Sequence, residues 1–585
     1  MSRWTVLLVG AMCAQEPRRE TVVVTGTFEP VAIEEFDRAV RVVRVPELEL
    51  VSNTLADFLK LDSSLDLRQR APNGLQSDLS IRGGTFGQTL VLVDGARMND
   101  AQSGHHNLDV PLPLEAIERI EVLRGSGSTW YGSDAVGGVV NIITRRPESS
   151  EFRLRTAAGN FGVNQQRGSL AAARGKLTQQ LTFSRDFSSG FRPNRDYRNL
   201  SLASTTHLAT ALGSTGVTLA YNDRPFGADQ FYGNFNSWEN TKTWLASLRQ
   251  GLGANTDASF TFRRHSDLFV LYRDRPEVFA NHHAAESFQA SVRRRQELSA
   301  TARLNYGIEG YRDSIVSNNL GSHSRARGAA YASVDVRSLR RFSFSLGARE
   351  EIYRSLIRSF SPSASAGVWL SQRVKLRGSA SRAFRLPSYT DLYYHDPANQ
   401  GSPDLRPESA WSYEGGVDWN AGGKLRGEAT LFHRRETDGI DYVRRSPADI
   451  WRATNFQKLR FTGVEISARA RGLDLSYTGL RAAQDALQGV FSRYVFNFPA
   501  HSGVASWTGS WRGLIARTRI GAMARRARDP YAVWDVYAAH SGGRVRPFVQ
   551  FTNLTATTYQ EILGVAMPGR AVVGGIEVAV FGARR

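Results

Sequence analysis

The sequence predicts a transmembrane β-barrel that follows an N-terminal region of mixed α/β character. Two regions with different sequence patterns indicate this fold class. Residues 20–146 combine short apolar strands, one helical pattern and glycine-rich turns, whereas residues 150–585 are a long succession of alternating apolar and polar segments. No apolar run approaches twenty residues and no sequence repeat is visible, which argues against membrane-spanning helices, propellers and solenoids.

The composition excludes further classes of protein. Hydrophobic residues make up 41%, aromatic residues 10% and charged residues 22% of the 585 residues, so the chain is not intrinsically disordered. The mean hydropathy of −0.34 does not fit a bundle of membrane helices. It does fit a membrane barrel, because barrel strands alternate and therefore average to a polar value.

The charge is strongly basic. The 74 Lys and Arg residues exceed the 55 Asp and Glu residues, which gives a formal charge of +19. Such an excess suits nucleic acid, anionic lipid or lipopolysaccharide, or an acidic ligand. The arginines are scattered singly, without a basic helix, a zinc-ligand spacing or a concentrated stripe, so we expect no nucleic-acid partner.

The first residues have the pattern of an export signal. Residues 4–14 form a short apolar stretch behind Arg3, so residues 1–14 are predicted to be a signal peptide that is cleaved after Ala14. Cleavage there removes Cys13, the single cysteine, and leaves a mature chain without thiols. A buried N-terminal strand is the alternative.

The alternation from residue 150 onward is regular enough to assign faces. In residues 374–381, Leu376 lies on an apolar face and Lys375 on a polar face. The same pattern recurs in residues 258–263, 425–430 and 464–471.

A soluble β-sandwich would also alternate. The long stretch without a domain break and the many arginines on the polar faces favour a membrane barrel instead. A sheet in a lipid bilayer must close into a barrel, because lipid cannot form hydrogen bonds with the backbone of an open edge strand. Each membrane-spanning strand needs roughly 9–11 residues. Short turns at one end and longer loops at the other are expected.

The N-terminal region contains recognisable elements. Residues 54–61 predict a short amphipathic helix, and residues 79–82 and 89–93 predict strands on either side of the glycine-rich loop 83–88. A phosphate-binding loop at 125–132 is not expected, because the Lys-Ser/Thr ending and a following helix pattern are missing.

These residues resemble the plug domain of TonB-dependent outer-membrane receptors, in particular the cobalamin-receptor-like branch. The matching stretches are SIRGG, LVLVDGARMN, IERIEVLRG and YGSDAVGGVVNIIT, together with residues 382–408, 455–466 and 551–581. The resemblance implies a plug domain at 29–147 inside a bacterial outer-membrane barrel of about 22 antiparallel strands at 148–585. It further implies a monomer in contact with outer-membrane lipid and lipopolysaccharide.

Residues 15–28 are then predicted to be a periplasmic segment that carries the energy-coupling motif, the TonB box. The predicted box consists of Glu20, Thr21, Val22, Val23, Val24 and Thr25. By the resemblance, TonB and its inner-membrane ExbB/ExbD complex grip this segment and use the proton gradient. Its β-forming residues suit main-chain pairing with an added strand. An ordinary first strand of the plug is the alternative.

The resemblance also implies active import of a scarce large nutrient, either cobalamin or a ferric siderophore, that binds at the plug apices and extracellular loops. The candidate ligand-binding residues are Thr85, Phe86, Gln88, Gln102, Ser103, His105, His106, Phe226, Phe231, Tyr232 and Trp238. Aromatic rings can cover a flat macrocycle or a catecholate. For each residue, loop packing or a place in the aromatic girdle at the membrane interface is the alternative.

For several charged and histidine residues the sequence supports more specific predictions. Arg82 and Arg124 lie beside plug glycines and are expected to form buried ion pairs with the barrel wall. Two-point metal ligation by His105 and His106 is awkward, because adjacent residues of an extended segment point to opposite sides. No cofactor is required, although loop calcium is possible at Asp186, Asp196, Asp223 or Asp229.

Two other classes of protein share part of this pattern. Alternation alone permits a passive porin, but the plug-like region argues against it. A secreted β-rich hydrolase lacks support because there is no nucleophile elbow, no HExxH and no convincing carboxylate pair, so the chain is predicted not to be an enzyme. One departure from the family is that residues 582–585 follow Phe581, where family members commonly end on the aromatic residue.

Overall fold

The structure, a computed structural model, describes residues 22–23, 25, 31–339, 341–353, 357–422, 425–456, 458–484, 489–526 and 528–581. The predicted signal peptide and residues 582–585 lie outside these ranges. Within them, no helix is both long enough and apolar enough to cross a membrane.

An N-terminal plug comes first in the chain. Its helices and strands are β1 Val22–Val23, β2 Val31–Ala32, β3 Val40–Arg44, α1 Leu55–Leu59, β4 Leu65–Gln69, β5 Ser77–Ile81, β6 Thr89–Val93, β7 Ala96–Arg97, β8 Ile117–Arg124, α2 Ser128–Tyr131 and β9 Gly138–Thr144. Its 3-10 turns are Ile33–Glu35, Glu49–Val51, Phe86–Gln88, Gly104–His106 and Leu114–Ala116. The main sheet has the order β3-β8-β9-β6-β7, with β6 and β9 parallel.

Local sequence explains several plug elements. Thr54 and Asp57 form a capping box at the start of α1, which confirms the predicted helix, although it ends at Leu59 rather than Leu61. The turn between β6 and β7 is made by Asp94 and Gly95, whose φ angles are +49° and +83°. Glycine adopts this left-handed conformation without the steric penalty of a side chain.

The barrel and its loops follow. Their elements are β10 Glu151–Gly159, β11 Asn164–Arg174, β12 Leu177–Ser188, β13 Tyr197–Thr210, β14 Gly213–Asp229, β15 Asn236–Leu252, β16 Thr256–Val270, β17 Ala280–Glu297, β18 Ala302–Ser317, β19 Gly321–Leu339, β20 Phe342–Tyr353, β21 Ile357–Trp369, β22 Val374–Arg385, α3 Tyr389–Tyr393, β23 Asn399–Gln400, β24 Glu408–Asn420, β25 Leu425–Thr437, β26 Gly439–Arg444, β27 Trp451–Phe456, β28 Leu459–Ala470, β29 Leu473–Gln484, β30 Phe491–Ser492, β31 Pro499–Trp511, β32 Leu514–Arg525, β33 Tyr531–His540, β34 Val545–Thr552, β35 Gln560–Ile562, β36 Val565–Ala566 and β37 Ala571–Phe581.

The barrel closes on itself. In the part of the chain that the structure describes, 22 antiparallel strands form one cycle, and β10 pairs with both β11 and β37 to complete it. Strands β23, β26, β27 and β30 form a separate small sheet in the loops, which we call the loop sheet. The closed cycle confirms the predicted fold class and rules out the soluble sandwich.

The two ends of the barrel differ as expected. Connections such as 175–176 and 211–212 are short at the turn end, whereas 386–407, 438–458 and 553–570 are long at the other end, the loop end. Long loops are extracellular and short turns periplasmic in barrels of this kind. The loop sheet and α3 therefore belong to the extracellular side.

The faces of the wall follow the predicted alternation. Lys375 is fully buried and pairs with Asp37 of the plug, whereas its neighbour Leu376 is exposed on the outside. Glu465 is buried and Ile466 exposed in the same way on β28. The polar faces therefore line the lumen, and the apolar faces form the lipid-facing surface.

Candidate functional site

Two 3-10 turns of the plug face the loop end. The first contains Phe86, and the second contains His105. Ser103 begins the second turn, and its Oγ accepts a hydrogen bond from the backbone of His105 at 3.4 Å. Helix α3 lies against this region, since the backbone of Tyr389 donates to the carbonyl of Ala101 at 2.9 Å.

The first turn is fixed by its own side chains and by the wall. Thr85 and Gln88 form a capping box, in which the backbone of Thr85 donates to Gln88 Oε1 at 3.0 Å. Gln88 Nε2 donates to Glu408 at 3.0 Å and to Glu436 at 3.2 Å on the barrel. Both predicted ligand residues, Thr85 and Gln88, are buried in this plug–barrel contact.

An aromatic group lies at the top of the plug. Phe86 stacks on His105 with ring centroids 4.2 Å apart, and Tyr494 meets Phe86 edge-on at 5.1 Å. Tyr442 of the loop sheet contacts Tyr494 at 6.4 Å. We call Phe86, His105, Tyr442 and Tyr494 the apical aromatic cluster. Burial lowers the pKa of His105, although the Asp78 carboxylate acts in the opposite direction.

The predicted residues of the loop 224–238 lie in several environments. Phe226 and Phe231 are buried in a small apolar cluster with Leu75 of the plug. Tyr232 is 38% exposed, and its hydroxyl donates to Glu239 at 2.7 Å.

Trp238 lies elsewhere. Its neighbours Ser237 and Glu239 are buried toward the lumen, so the alternation of β15 places Trp238 on the outer face of the wall. That position fits a place in the aromatic girdle at the membrane interface.

Gln102 and His106 face charged groups of the barrel. Gln102 Nε2 donates to Asp267 at 2.9 Å, and His106 lies between Asp109 at 3.3 Å and Asp267 at 3.5 Å. Burial by itself would lower the pKa of His106, but hydrogen bonds to the two carboxylates raise it well above its ordinary value. His105 and His106 thus point to different surroundings, but they lie in the 3-10 turn Gly104–His106 and not in the extended segment that the sequence predicted.

Two plug arginines hold the plug to the wall. Arg82 donates to Glu465 at 2.7 and 2.8 Å and to Glu414 at 2.7 Å. Arg124 donates to Glu428 at 2.6 Å and to Glu465 at 3.3 Å. These five hydrogen bonds join Arg82, directly after β5, and Arg124 of β8 to β24, β25 and β28. They are the kind of contact expected for Arg82 and Arg124 from the sequence.

The N-terminal segment is attached to the plug sheet. Val22–Val23 pairs with Val31–Ala32, and Thr25 is fully buried. The backbone N–H and the hydroxyl of Thr25 donate to Glu121 of β8 at 2.8 and 2.6 Å. The other predicted box residues, Glu20, Thr21 and Val24, lie outside the described ranges.

The candidate calcium residues do not come together in the described part of the chain. Asp186 pairs with Arg167 at 3.1 Å, and Asp223 pairs with Arg198 at 3.2 Å. The groups of described side chains close enough to hold a metal ion do not include Asp196 or the other three candidates. Loop calcium stays a prediction.

A cavity of about 190 Å³ separates the plug from one side of the wall. Thr54 and Lys60 of the α1 region line it on the plug side, and Tyr531 and Asp535 line it on the barrel side. The gap lies toward the loop end, since the wall residues come from the upper parts of β32, β33 and β34.

Sequence reasoning missed part of this site. Tyr442 and Tyr494 come from loops without a motif, and nothing in their local sequence marks them. The sequence did contain a signal for the charged barrel residues that face His106. Arg263, His265 and Asp267 alternate along β16 and therefore share its inner face.

A closed barrel with a folded domain bonded inside its lumen defines a plugged outer-membrane receptor. Two family models agree with this class: the TonB-dependent receptor-like β-barrel matches residues 129–559, and the TonB-dependent receptor plug domain matches residues 32–139. The chain belongs to the TonB-dependent receptor family, whose members are outer-membrane receptors and transporters rather than enzymes.

The proteins that this chain is similar to carry different names. The chain is 24% identical over 511 residues to the vitamin B12 transporter BtuB of Photobacterium profundum, with 81% of this chain and 80% of the relative covered. It is 27% identical over 518 residues to an iron-regulated outer membrane virulence protein of Vibrio cholerae serotype O1, with 78% and 76% covered. The solved siderophore receptor PirA of Acinetobacter baumannii has a TM-score of 0.77 at 15% identity, with 92% and 98% covered, and shows likeness of fold alone.

Proposed function

We propose that this chain is an active outer-membrane transporter that binds cobalamin or a ferric siderophore at the loop end. TonB-transduced proton-motive force then drives release of the ligand into the periplasm. The observation that carries the proposal is the position of the plug, which occupies the lumen and is bonded to the wall at Arg82 and Arg124.

The same observation counts against the passive porin. A solute the size of cobalamin cannot pass while the plug fills the lumen and stays bonded to the wall at Arg82 and Arg124. Breaking buried ion pairs leaves charges unpaired in a medium of low dielectric constant, which is costly. Opening therefore needs an external source of work.

The described contacts suggest how that work reaches the plug. Thr25, at the end of the predicted box, is bonded to Glu121 on β8. Strand β8 continues to Arg124, which is bonded to the wall at Glu428 and Glu465. A pull on the N-terminal segment would therefore load β8 and the Arg124 contacts directly.

The loop end offers a surface for a flat or anionic ligand. Arg444 and Arg493 approach the ring of Trp451 on the loop sheet at 4.4 and 5.8 Å. Below them, the apical aromatic cluster supplies further ring faces. Such rings suit a corrin or a catecholate, and the arginines favour an anionic chelate, which keeps the ferric siderophore as a strong second candidate.

Cargo is tested by equilibrium binding to the detergent-purified receptor. Cyanocobalamin, a ferric catecholate and a ferric hydroxamate are compared side by side. Saturable sub-micromolar binding of cyanocobalamin supports the cobalamin receptor, and tight binding of one iron chelate without cobalamin binding reassigns the cargo to iron.

Energy coupling is tested by Val24→Pro, because proline cannot donate the main-chain hydrogen bond that an added strand needs. We expect normal ligand binding and complete loss of uptake of the bound ligand by intact cells. Val24→Ala is the matched control and should transport normally, since main-chain pairing tolerates different side chains. Normal uptake by the proline variant would contradict TonB coupling through this segment.

A further inference from the structure

A buried polar cluster between the plug and the wall plays no part in the transport argument. Its centre is His106 and Asp109 of the plug with His265 of β16, and all three are buried. In the described part of the chain, one potential metal-ligand atom from each of these residues lies within 4.8 Å of the other two. We call His106, Asp109 and His265 the buried triad.

The spacing inside the buried triad matches a coordination sphere. Asp109 Oδ2 is 3.3 Å from His106 Nδ1 and 3.2 Å from His265 Nε2. Zinc binds imidazole nitrogen and carboxylate oxygen at about 2.0–2.1 Å, so two such donors at the tetrahedral angle lie about 3.3 Å apart. Both distances from Asp109 therefore match those between two donors to one zinc ion, and a donor atom of each imidazole lies within 4.8 Å of one on the other.

Each imidazole also faces a second carboxylate with its other nitrogen. His106 Nε2 is 3.5 Å from Asp267, and His265 Nδ1 is 3.2 Å from Asp100. Metal-bound histidines almost always donate their distal N–H to a carboxylate, a carbonyl or water, which fixes the ring and the tautomer. Both distal nitrogens lie near such a carboxylate, although His265 Nδ1 makes no hydrogen bond within the described residues.

Negative charge surrounds the two imidazoles. The buried carboxylates of Asp100, Asp109 and Asp267 lie 3.2–3.5 Å from their ring nitrogens. The ring centroids are 4.6 Å apart. A divalent cation held between the rings would be attracted by these carboxylates.

The carboxylates are themselves held in place. Arg224 donates to Asp109 Oδ1 at 2.6 Å, which leaves Oδ2 facing the histidines. Arg263 donates to Asp100 at 2.7 Å. Asp267 Oδ1 is buried without a hydrogen-bond partner in the described part of the chain, which leaves this carboxylate under-satisfied.

We infer that the buried triad is a divalent zinc site, with His106 Nδ1, Asp109 Oδ2 and His265 Nε2 as its ligands. Two imidazoles and one carboxylate suit zinc, whereas calcium and magnesium prefer oxygen donors. Three protein donors leave one tetrahedral position for a water molecule. Since two ligands belong to the plug and one to the wall, the ion would join the two parts independently of the transported ligand.

The test is calorimetric titration of zinc chloride into the full-length receptor, purified in detergent and freed of metal with a chelator. We expect one ion per chain with sub-micromolar affinity. His265→Gln and Asp109→Asn should each weaken binding at least about 100-fold, because loss of an outer partner alone costs 10–100-fold. His105→Gln, beside the site but turned toward Asp78, should bind zinc like the native receptor.

Folding of each variant is checked by the resistance of the barrel to sodium dodecyl sulfate without heating. Asp109→Asn keeps the shape of the side chain and so provides a second variant if His265→Gln fails to fold. Cobalt chloride gives an independent spectroscopic signal, a visible absorption band of a tetrahedral ion that both variants should lose. Absence of zinc binding to the native receptor, native-like zinc affinity in both folded variants, or preferential binding of calcium or magnesium would overturn the inference.

Discussion

The plug and the barrel bury opposite kinds of side chain. The plug encloses an apolar core that includes Ile81, Val91 and Val140. The barrel instead buries charged residues such as Arg349 on its inner wall and leaves residues such as Leu431 exposed. The surface between them combines specific ion pairs, such as Arg82 with Glu465, with local apolar contacts, such as those of Leu75 with Phe226 and Phe231.

This difference teaches what each part requires of its sequence. The outer wall needs apolar side chains in alternate positions, and many different apolar residues satisfy that need. The plug–barrel interface needs a particular partner for each charge, because a buried charge without its partner is strongly destabilising. The basic composition has a corresponding explanation, since arginines such as Arg195 and Arg517 are buried inside the barrel rather than displayed to lipid or ligand.

The largest effect is expected where an interface charge loses its partner. Arg82→Ala removes the nearest cationic partner of Glu414 and of Glu465, although Arg124 still reaches Glu465, and should destabilise the docked plug by about 3–5 kcal/mol. The measurement is thiol labelling of a cysteine introduced by Ser80→Cys, at a buried plug position, during a urea titration. Labelling should begin at lower urea while the barrel stays folded.

The control is an ion pair outside the interface. Arg273 pairs with Asp196 between exposed loops. Arg273→Ala should therefore change the free energy of plug unfolding, obtained from the labelling titration, by no more than about 1 kcal/mol. Equal effects of the two alanine substitutions would contradict the importance given to the interface pairs.

The next effect tests the outer wall. Leu431 is 67% exposed at the centre of β25, between the buried Thr430 and Phe432. Leu431→Arg should destabilise the barrel in lipid vesicles by about 2–4 kcal/mol, because a charge at mid-membrane depth is costly. The measurement is a urea titration of the barrel by tryptophan fluorescence.

Leu431→Met is the matched control and should be nearly neutral, since the outer face needs hydrophobicity rather than a given residue. A destabilised methionine variant, or an unaffected arginine variant, would mean that this face does not contact the hydrocarbon of the membrane.

The smallest effect compares two plug glycines with positive φ. At Gly83 an added Cβ would lie 2.5 Å from Leu480 and 3.1 Å from Phe461 of the wall, whereas at Gly95 nothing lies within 4 Å. Gly95→Ala should cost about 1–2 kcal/mol from backbone strain alone. Gly83→Ala should cost about 1–3 kcal/mol more, because the wall must move.

The same urea-dependent labelling of the cysteine from Ser80→Cys measures both glycine variants. Because backbone strain is common to the two sites, their difference isolates the closeness of plug and wall at Gly83. Equal urea midpoints for the two variants would show that Leu480 and Phe461 of the wall move enough to accommodate the added methyl group at Gly83.

Local patterns predicted a good part of the structure. The capping residue Thr54 with the apolar face of 54–61 predicted α1, and the alternation in 374–381 predicted a strand with Lys375 and Leu376 on opposite faces. The same reasoning did not find Tyr442 or Tyr494, because loop residues follow no period. The sequence identified His106 as a candidate site residue but did not indicate that Asp109 and His265 lie beside it.

By itself the sequence determined the class of the molecule and the faces of its strands, because periodicity and turn chemistry act between neighbours in the chain. Only the tertiary structure decided which charges meet. Arg82 and Glu465 are 383 positions apart, and His265 reaches Asp109 across 156. Closing the barrel around the plug brings these groups together, and burial makes each partner specific by removing the water that would otherwise solvate the charges.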